Sequence, residues 1–109
     1  MGVLERRVEQ ALKDSIREMG GEALKWVSPG KASVPDRVCL LPGGRVLLVE
    51  AKTQTGRLSP GQKRFMERIV DRYQTPAAVV HGVRDVAAML ADYAEWVDGG
   101  EAGVFRWGF

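Results

Sequence analysis

Residues 34–52, VPDRVCLLPGGRVLLVEAK, hold two apolar runs separated by Pro-Gly-Gly, and each run carries charge at one end. DRVCLL and RVLLVEAK are rich in β-branched residues and leucine, and PGG is a compact turn signal, so the stretch predicts an antiparallel hairpin. The runs are nearly continuous in apolar residues, which predicts a sheet covered on both faces. In a hairpin the start of one strand lies beside the end of the other, so Asp36 is expected across from the region of Glu50 to Lys52. Strand alternation turns Glu50 and Lys52 to one face and Ala51 to the other. Charges gathered at a sheet corner are costly unless something compensates them.

Outward from the hairpin, the apolar spacing of Leu4, Val8, Leu12, Ile16 and Met19 predicts an amphipathic first helix over 3–19, stopped by Gly20-Gly21. ALKWVS (23–28) reads as a short strand ended by the PGKASVP loop. On the other side, TQTGRL is a polar loop. Ser59-Pro60 combines N-cap and N1 preferences, and Phe65, Met66, Ile69, Val70 and Tyr73 keep helical period to Gln74. PAAVVH (76–81) is then a short buried strand. Strand, helix, strand implies a crossover that sets it parallel to the 45–52 strand. A last helix is expected from about Asp85 to Val97. The glycine-rich tail ends in three aromatics and is expected either to pack back as an edge strand or to dock on a partner chain. The fold class is therefore α/β: an αβββαβ mixed sheet flanked by helices, plus a C-terminal helix.

The 109 residues are expected to form one domain, 1–109, with 45% hydrophobic and 28% charged residues, a composition that argues against disorder. The single cysteine, Cys39, excludes an internal disulfide and a multi-cysteine zinc site, and its apolar run predicts a buried, inert thiol. The N-terminus has no apolar signal core and no stretch approaches a membrane span, so a cytoplasmic protein with no membrane partner is expected, in a bacterial or phage-infected cell. Net charge is only +2, but residues 23–72 hold ten Lys/Arg against four Asp/Glu, while residues 85–109 hold one against five. That basic centre suits a phosphate-rich partner.

Two carboxylates on adjacent strand ends repel unless a cation lies between them. A hard divalent ion takes one or two carboxylates together with waters and phosphate oxygens. The backbone carbonyl of Ala51 offers a further oxygen ligand. Lys52 beside the ion would orient or help deprotonate an attacking water, or neutralise charge developing on a phosphate. The charges account for one another if the substrate is a phosphodiester.

Asp36 directly after a proline, then Glu50-Ala51-Lys52 after thirteen intervening residues, resembles the PD-(D/E)XK nuclease superfamily. More narrowly, KWVSPGKASVPDRVCLLPGGRVLLVEAKTQTGRLSPGQ is similar to the VRR-NUC family in its small stand-alone form, with the resemblance running from about Leu4 to Val80. It implies Asp36 and Glu50 as metal-binding carboxylates, Lys52 as the catalytic lysine, and a glutamate on the first helix, matched here by Glu9. Glu9 falls on the edge of the buried face, and Glu5, one turn earlier, is the alternative. Gln62 lies within the apolar stripe of the second long helix, where its amide needs a partner. The resemblance turns it toward the site, whereas its place near the helix start also allows a backbone partner. Lys31, Arg37, Arg57, Lys63 and Arg64 surround the corner in sequence and are candidate contacts to a nucleic-acid backbone. His81, the only histidine, receives no role. One departure is that SPGKASVPD has serine and valine where a glycine often precedes the proline, which affects substrate fit more than catalysis.

The resemblance implies an endonuclease requiring Mg²⁺, with Mn²⁺ able to substitute, that cuts DNA to leave 5′-phosphate and 3′-hydroxyl ends. Branched DNA is the expected substrate, above all a four-way (Holliday) junction in repair or recombination. A homodimer is expected from the need for two symmetric cuts, with the last helix and aromatic tail as its contact. The alternatives are a catalytically silent DNA-binding module and a flap-cutting or sequence-specific nuclease.

Overall fold

The computed structural model describes residues 2–109. Its elements are α1 (Val3–Glu18), β1 (Glu22–Lys25), β2 (Arg37–Leu41), β3 (Arg45–Ala51), α2 (Pro60–Tyr73), β4 (Ala77–Val80), α3 (Val83–Asp98) and β5 (Arg106–Trp107). The five strands form one mixed sheet in the order β1-β2-β3-β4-β5.

The predicted hairpin is its centre, with β2 and β3 antiparallel in a register from Arg37↔Val49 to Leu41↔Arg45. Gly43 and Gly44 make its turn with positive φ of 86° and 74°, a conformation that side-chain-bearing residues resist. Alternation along β3 then builds both layers of core. Leu47, Val49 and Ala51 join Val8, Leu12 and Ile16 of α1 and Val86, Met89 and Leu90 of α3. Leu48 joins Met66, Ile69 and Val70 of α2 on the opposite face. The crossover through α2 sets β4 parallel to β3, as the strand-helix-strand order predicts.

The turn from α1 into β1 needs its glycines. Gly20 has φ of +87°, and a Cβ on Gly21 would collide with the Leu40 carbonyl oxygen. β1 ends earlier than the predicted 23–28 because its partner begins only at Arg37. One further bond, from the Trp26 amide to the Asp36 carbonyl at 2.9 Å, precedes the turn of Trp26 onto Phe65, with ring centroids 6.2 Å apart. α3 starts at Val83 rather than near Asp85. The Asp85 carboxylate reaches back to accept the His81 amide at 2.8 Å, so Asp85 serves from inside the first turn, where a negative charge is favoured.

The tail takes the first of its two alternatives. β5 adds to β4 in parallel as an edge strand. Phe105 is buried against Tyr93 in an edge-to-face pair 5.2 Å apart, and the Trp107 indole donates to Asp92 at 2.8 Å. Phe105 and Trp107 thus pack within their own chain. No helix among the described residues is long and apolar enough to cross a membrane.

Candidate active site

One step beyond Arg37↔Val49, the hairpin register brings Asp36 beside Glu50. The two carboxylates are fixed by crossed bonds to each other's strand. The Asp36 amide donates to Glu50 Oε1 at 3.1 Å, and the Ala51 amide donates to Asp36 Oδ2 at 3.0 Å. Glu50 is only 3% exposed. Burial first, and the neighbouring Asp36 charge second, push its pKa up to about 7, while the Lys52 ammonium and the Asp36 amide pull it back. Lys52 Nζ lies 3.2 Å from Glu50 Oε2.

The proline before Asp36 has a physical consequence. Two steps beyond Arg37↔Val49, the residue across from Ala51 is Pro35, which has no N–H to donate. An amide and carbonyl of one strand residue point the same way, and the Ala51 amide points at Asp36. The Ala51 carbonyl therefore faces the carboxylate corner with no hairpin donor to occupy it.

Gln62 closes the site from the α2 side. Its Oε1 accepts from the Ser59 amide at 2.9 Å and from Lys52 Nζ at 3.2 Å, while its Nε2 donates to Glu50 Oε2 at 3.3 Å. The Ser59 hydroxyl in turn accepts the Gln62 amide at 3.1 Å, which completes a capping box. Ser59 N–H and the lysine ammonium are both donors, and the ionised carboxylate only accepts, so the partners fix which way the amide faces. The two readings of Gln62 are thus compatible: one side chain caps the helix and links Lys52 to Glu50. Ser59 as an anchor of the site was missed, although Ser-x-x-Gln before an apolar run carries the capping signal.

Glu9 lies on the opposite side of the sheet, with α1. It is 3% exposed, and its Oε1 accepts Arg37 Nε at 2.9 Å. Arg37 Nη1 also reaches the Ala23 carbonyl at 3.4 Å, while Glu9 Oε2 is buried without a partner. Glu9 is therefore gathered with Arg37 rather than with Asp36 and Glu50, and Glu5 remains partly exposed. Among the described residues no group of three or more His, Cys, Asp or Glu side chains is arranged to hold a metal. The donor chemistry that fits a hard cation is the Asp36–Glu50 pair with the Ala51 carbonyl: oxygens only, and like charges close enough that one resists ionisation.

Arg37 does not stand with the surface cations, because only 14% of its side chain is exposed and it is committed to Glu9. Arg37→Ala should cost about 3–5 kcal/mol, since it leaves a buried carboxylate with no partner. Urea denaturation measures this; an unchanged midpoint would mean that the pair is not formed. Lys31 and Arg68 lie over the Phe65 ring, 4.7 and 5.1 Å from its centroid. Arg57 and Lys63 line a cleft beside the corner, and Arg64 is exposed on α2. Burial pushes the Cys39 thiol up to about 12, against a smaller opposing effect of Arg37, which makes it inert as its position predicted.

Comparison with known proteins shows what this chain is similar to. The VRR-NUC domain family model matches residues 3–84. The protein named "Putative nuclease p44" of Acyrthosiphon pisum secondary endosymbiont phage 1 is 39% identical over 67 residues, covering 62% of this chain and 72% of that protein. A solved structure described as "VRR_NUC domain" superposes with a TM-score of 0.79 at 28% identity, covering 84% of this chain and 99% of that one. A second, described as "VRR_NUC domain protein", gives 0.59 at 18% identity over 99% of this chain and 95% of that one, a likeness of fold.

Proposed function

Because the chain belongs to the VRR-NUC domain family, we propose that it is a metal-dependent endonuclease that hydrolyses phosphodiester bonds in branched DNA, four-way junctions foremost. The observation that carries this reading is the corner in which Asp36, Glu50, Lys52 and Gln62 are tied into one hydrogen-bonded set. Asp36 and Glu50, with the Ala51 carbonyl, would hold a divalent ion. Mg²⁺, or Mn²⁺ in its place, would supply Lewis acidity there and ease the deprotonation of the water that attacks phosphorus.

The remaining work falls to this chain's own side chains. Lys52, whose ammonium lies 3.2 Å from Glu50 Oε2, would neutralise charge that builds on the phosphate oxygens as the bond breaks. Gln62 holds Lys52 and Glu50 in a common orientation, and Ser59 fixes Gln62 through the helix cap. The basic surface of Lys31, Arg57, Lys63 and Arg64 supplies backbone contacts that position DNA without reading its sequence. Paired cuts across a junction require two copies of the site, hence a two-fold dimer.

Cleavage of matched four-way junction, flap, single-stranded and linear duplex DNA, with and without Mg²⁺, tests this reading. Paired nicks on the junction that vanish in chelator are expected. Cleavage of all four substrates alike would remove junction preference, and binding without any cleavage would make the chain a silent DNA-binding module.

A further inference from the structure

Next to Lys52, on the side away from Asp36, a cleft of about 700 Å³ is lined by Arg57, Leu58, Lys63, His81, Gly108 and Phe109 together with the 54–56 turn. His81 follows the Ala51↔Val80 pair by one step, which sets it beside Lys52, just past the end of the neighbouring parallel strand. Alternation from Val79, which packs with the α2 layer, turns His81 to the same side as Glu50 and Lys52. The 53–58 turn folds back on Lys52 so closely that a Cβ on Gly56 would touch the Lys52 Cβ at 3.3 Å.

Among the described residues, the side chains that line the cleft include two cations and a histidine and no acidic side chain, so they are complementary to an anion. It also contains an aromatic ring fixed by Arg106 and by core packing. Arg106 Nε donates to the main-chain oxygen of Phe109 at 2.8 Å, the Arg106 guanidinium covers one face of the Phe109 ring at 4.5 Å from its centroid, and the ring packs against the α2 layer of the core. Gly108, at φ of +81°, passes so near β4 that a Cβ there would collide with the Val79 carbonyl oxygen. Only glycine at that point lets the tail deliver Phe109 into the cleft.

We infer that this cleft binds one unpaired nucleotide segment of the substrate strand, with phosphate on Arg57, Lys63 and His81 and a base against Phe109. Cations flanking a fixed aromatic are the arrangement that single strands use, because every base has a face to stack. The size agrees: roughly 300–1,000 Å³ suits a small-molecule-sized ligand, enough for a nucleotide and too little for a duplex. Branch points are where a nuclease meets unpaired bases, so the inference rests on the nuclease reading and deepens it.

The test is fluorescence anisotropy in EDTA, where cleavage is silent, with a labelled oligothymidylate and a fully paired duplex of equal length. Phe109→Ala should weaken oligothymidylate binding at least about fivefold, with duplex binding unchanged. Phe109→Leu, which keeps the apolar packing and removes the stacking face, should do the same and separates the role from folding. Arg57→Ala/Lys63→Ala should flatten the dependence of log affinity on log salt by about 1.4 for the single strand. His81→Asn should weaken single-strand binding more than duplex binding. Variants that bind the oligothymidylate as the parent does, while the parent cleaves DNA in Mg²⁺, overturn the inference and leave the nuclease reading intact. A parent that neither binds nor cleaves DNA overturns both.

Discussion

Lys52→Ala is expected to slow DNA cleavage by roughly 10²–10³-fold, the scale set by losing one preorganised group that stabilises transition-state charge, while DNA binding changes little. The fold does not depend on this ammonium. Without it, Glu50 Oε2 keeps its bond from Gln62 Nε2, and Gln62 Oε1 keeps the Ser59 amide. The site geometry should therefore survive, and the loss should fall on the chemical step rather than on affinity. Removing Lys52 also removes an influence that lowers the Glu50 pKa, so residual activity should begin at a higher pH than in the parent. Single-turnover rates in saturating Mg²⁺, with anisotropy in EDTA alongside, separate the two effects. A variant that cleaves at the parental rate would take Lys52 out of the chemistry, and one that fails to bind would make it a substrate contact instead.

How much of this was legible in the chain depends on the range over which each signal acts. The hairpin, the α2 start and the buried β4 follow from local periodicity and turn residues, and the Asp36–Glu50 neighbourhood follows from the hairpin alone. Helical rotation put Glu9 at the edge of the buried face but could not say what it meets. Its partner Arg37 is twenty-eight residues away on a strand that passes beneath α1 only in the folded sheet. Its charge at a strand start makes Arg37 look like a surface cation; tertiary packing makes it a buried one. The end of β1 depended on where its partner begins, and the tail on the close pass of Gly108 along β4, both contacts between residues distant in sequence. Gln62 lay between these cases, since its capping role is local and its link to Lys52 is not.

Glu50→Gln should abolish cleavage and at the same time raise stability above neutral pH. The folded-state pKa of Glu50 is about 7 against an ordinary 4.5, chiefly from burial and then from Asp36. Between those values the folded protein holds a proton that the unfolded chain has released, so stability falls as pH rises. Below about 4.5 the carboxyl is neutral in both states and the cost is absent. Above about 7 it is fully charged in both, and the cost is complete, on the order of 3 kcal/mol. Glutamine carries no charge at any pH and still offers an oxygen to the Asp36 amide, so the variant should match the parent near pH 4.5 and melt higher at pH 8. Parent cleavage should rise with pH through about 7, as the carboxylate needed to hold a cation becomes ionised. Mg²⁺ should raise the parent's melting temperature at pH 8 more than at pH 5, by binding the folded state alone, and should leave Glu50→Gln unmoved. A variant less stable than the parent at pH 8 would mean that the Lys52 ion pair outweighs the burial and repulsion opposing it. The expected result would mean that the corner is held in an unfavourable charge state which substrate chemistry requires and folding does not.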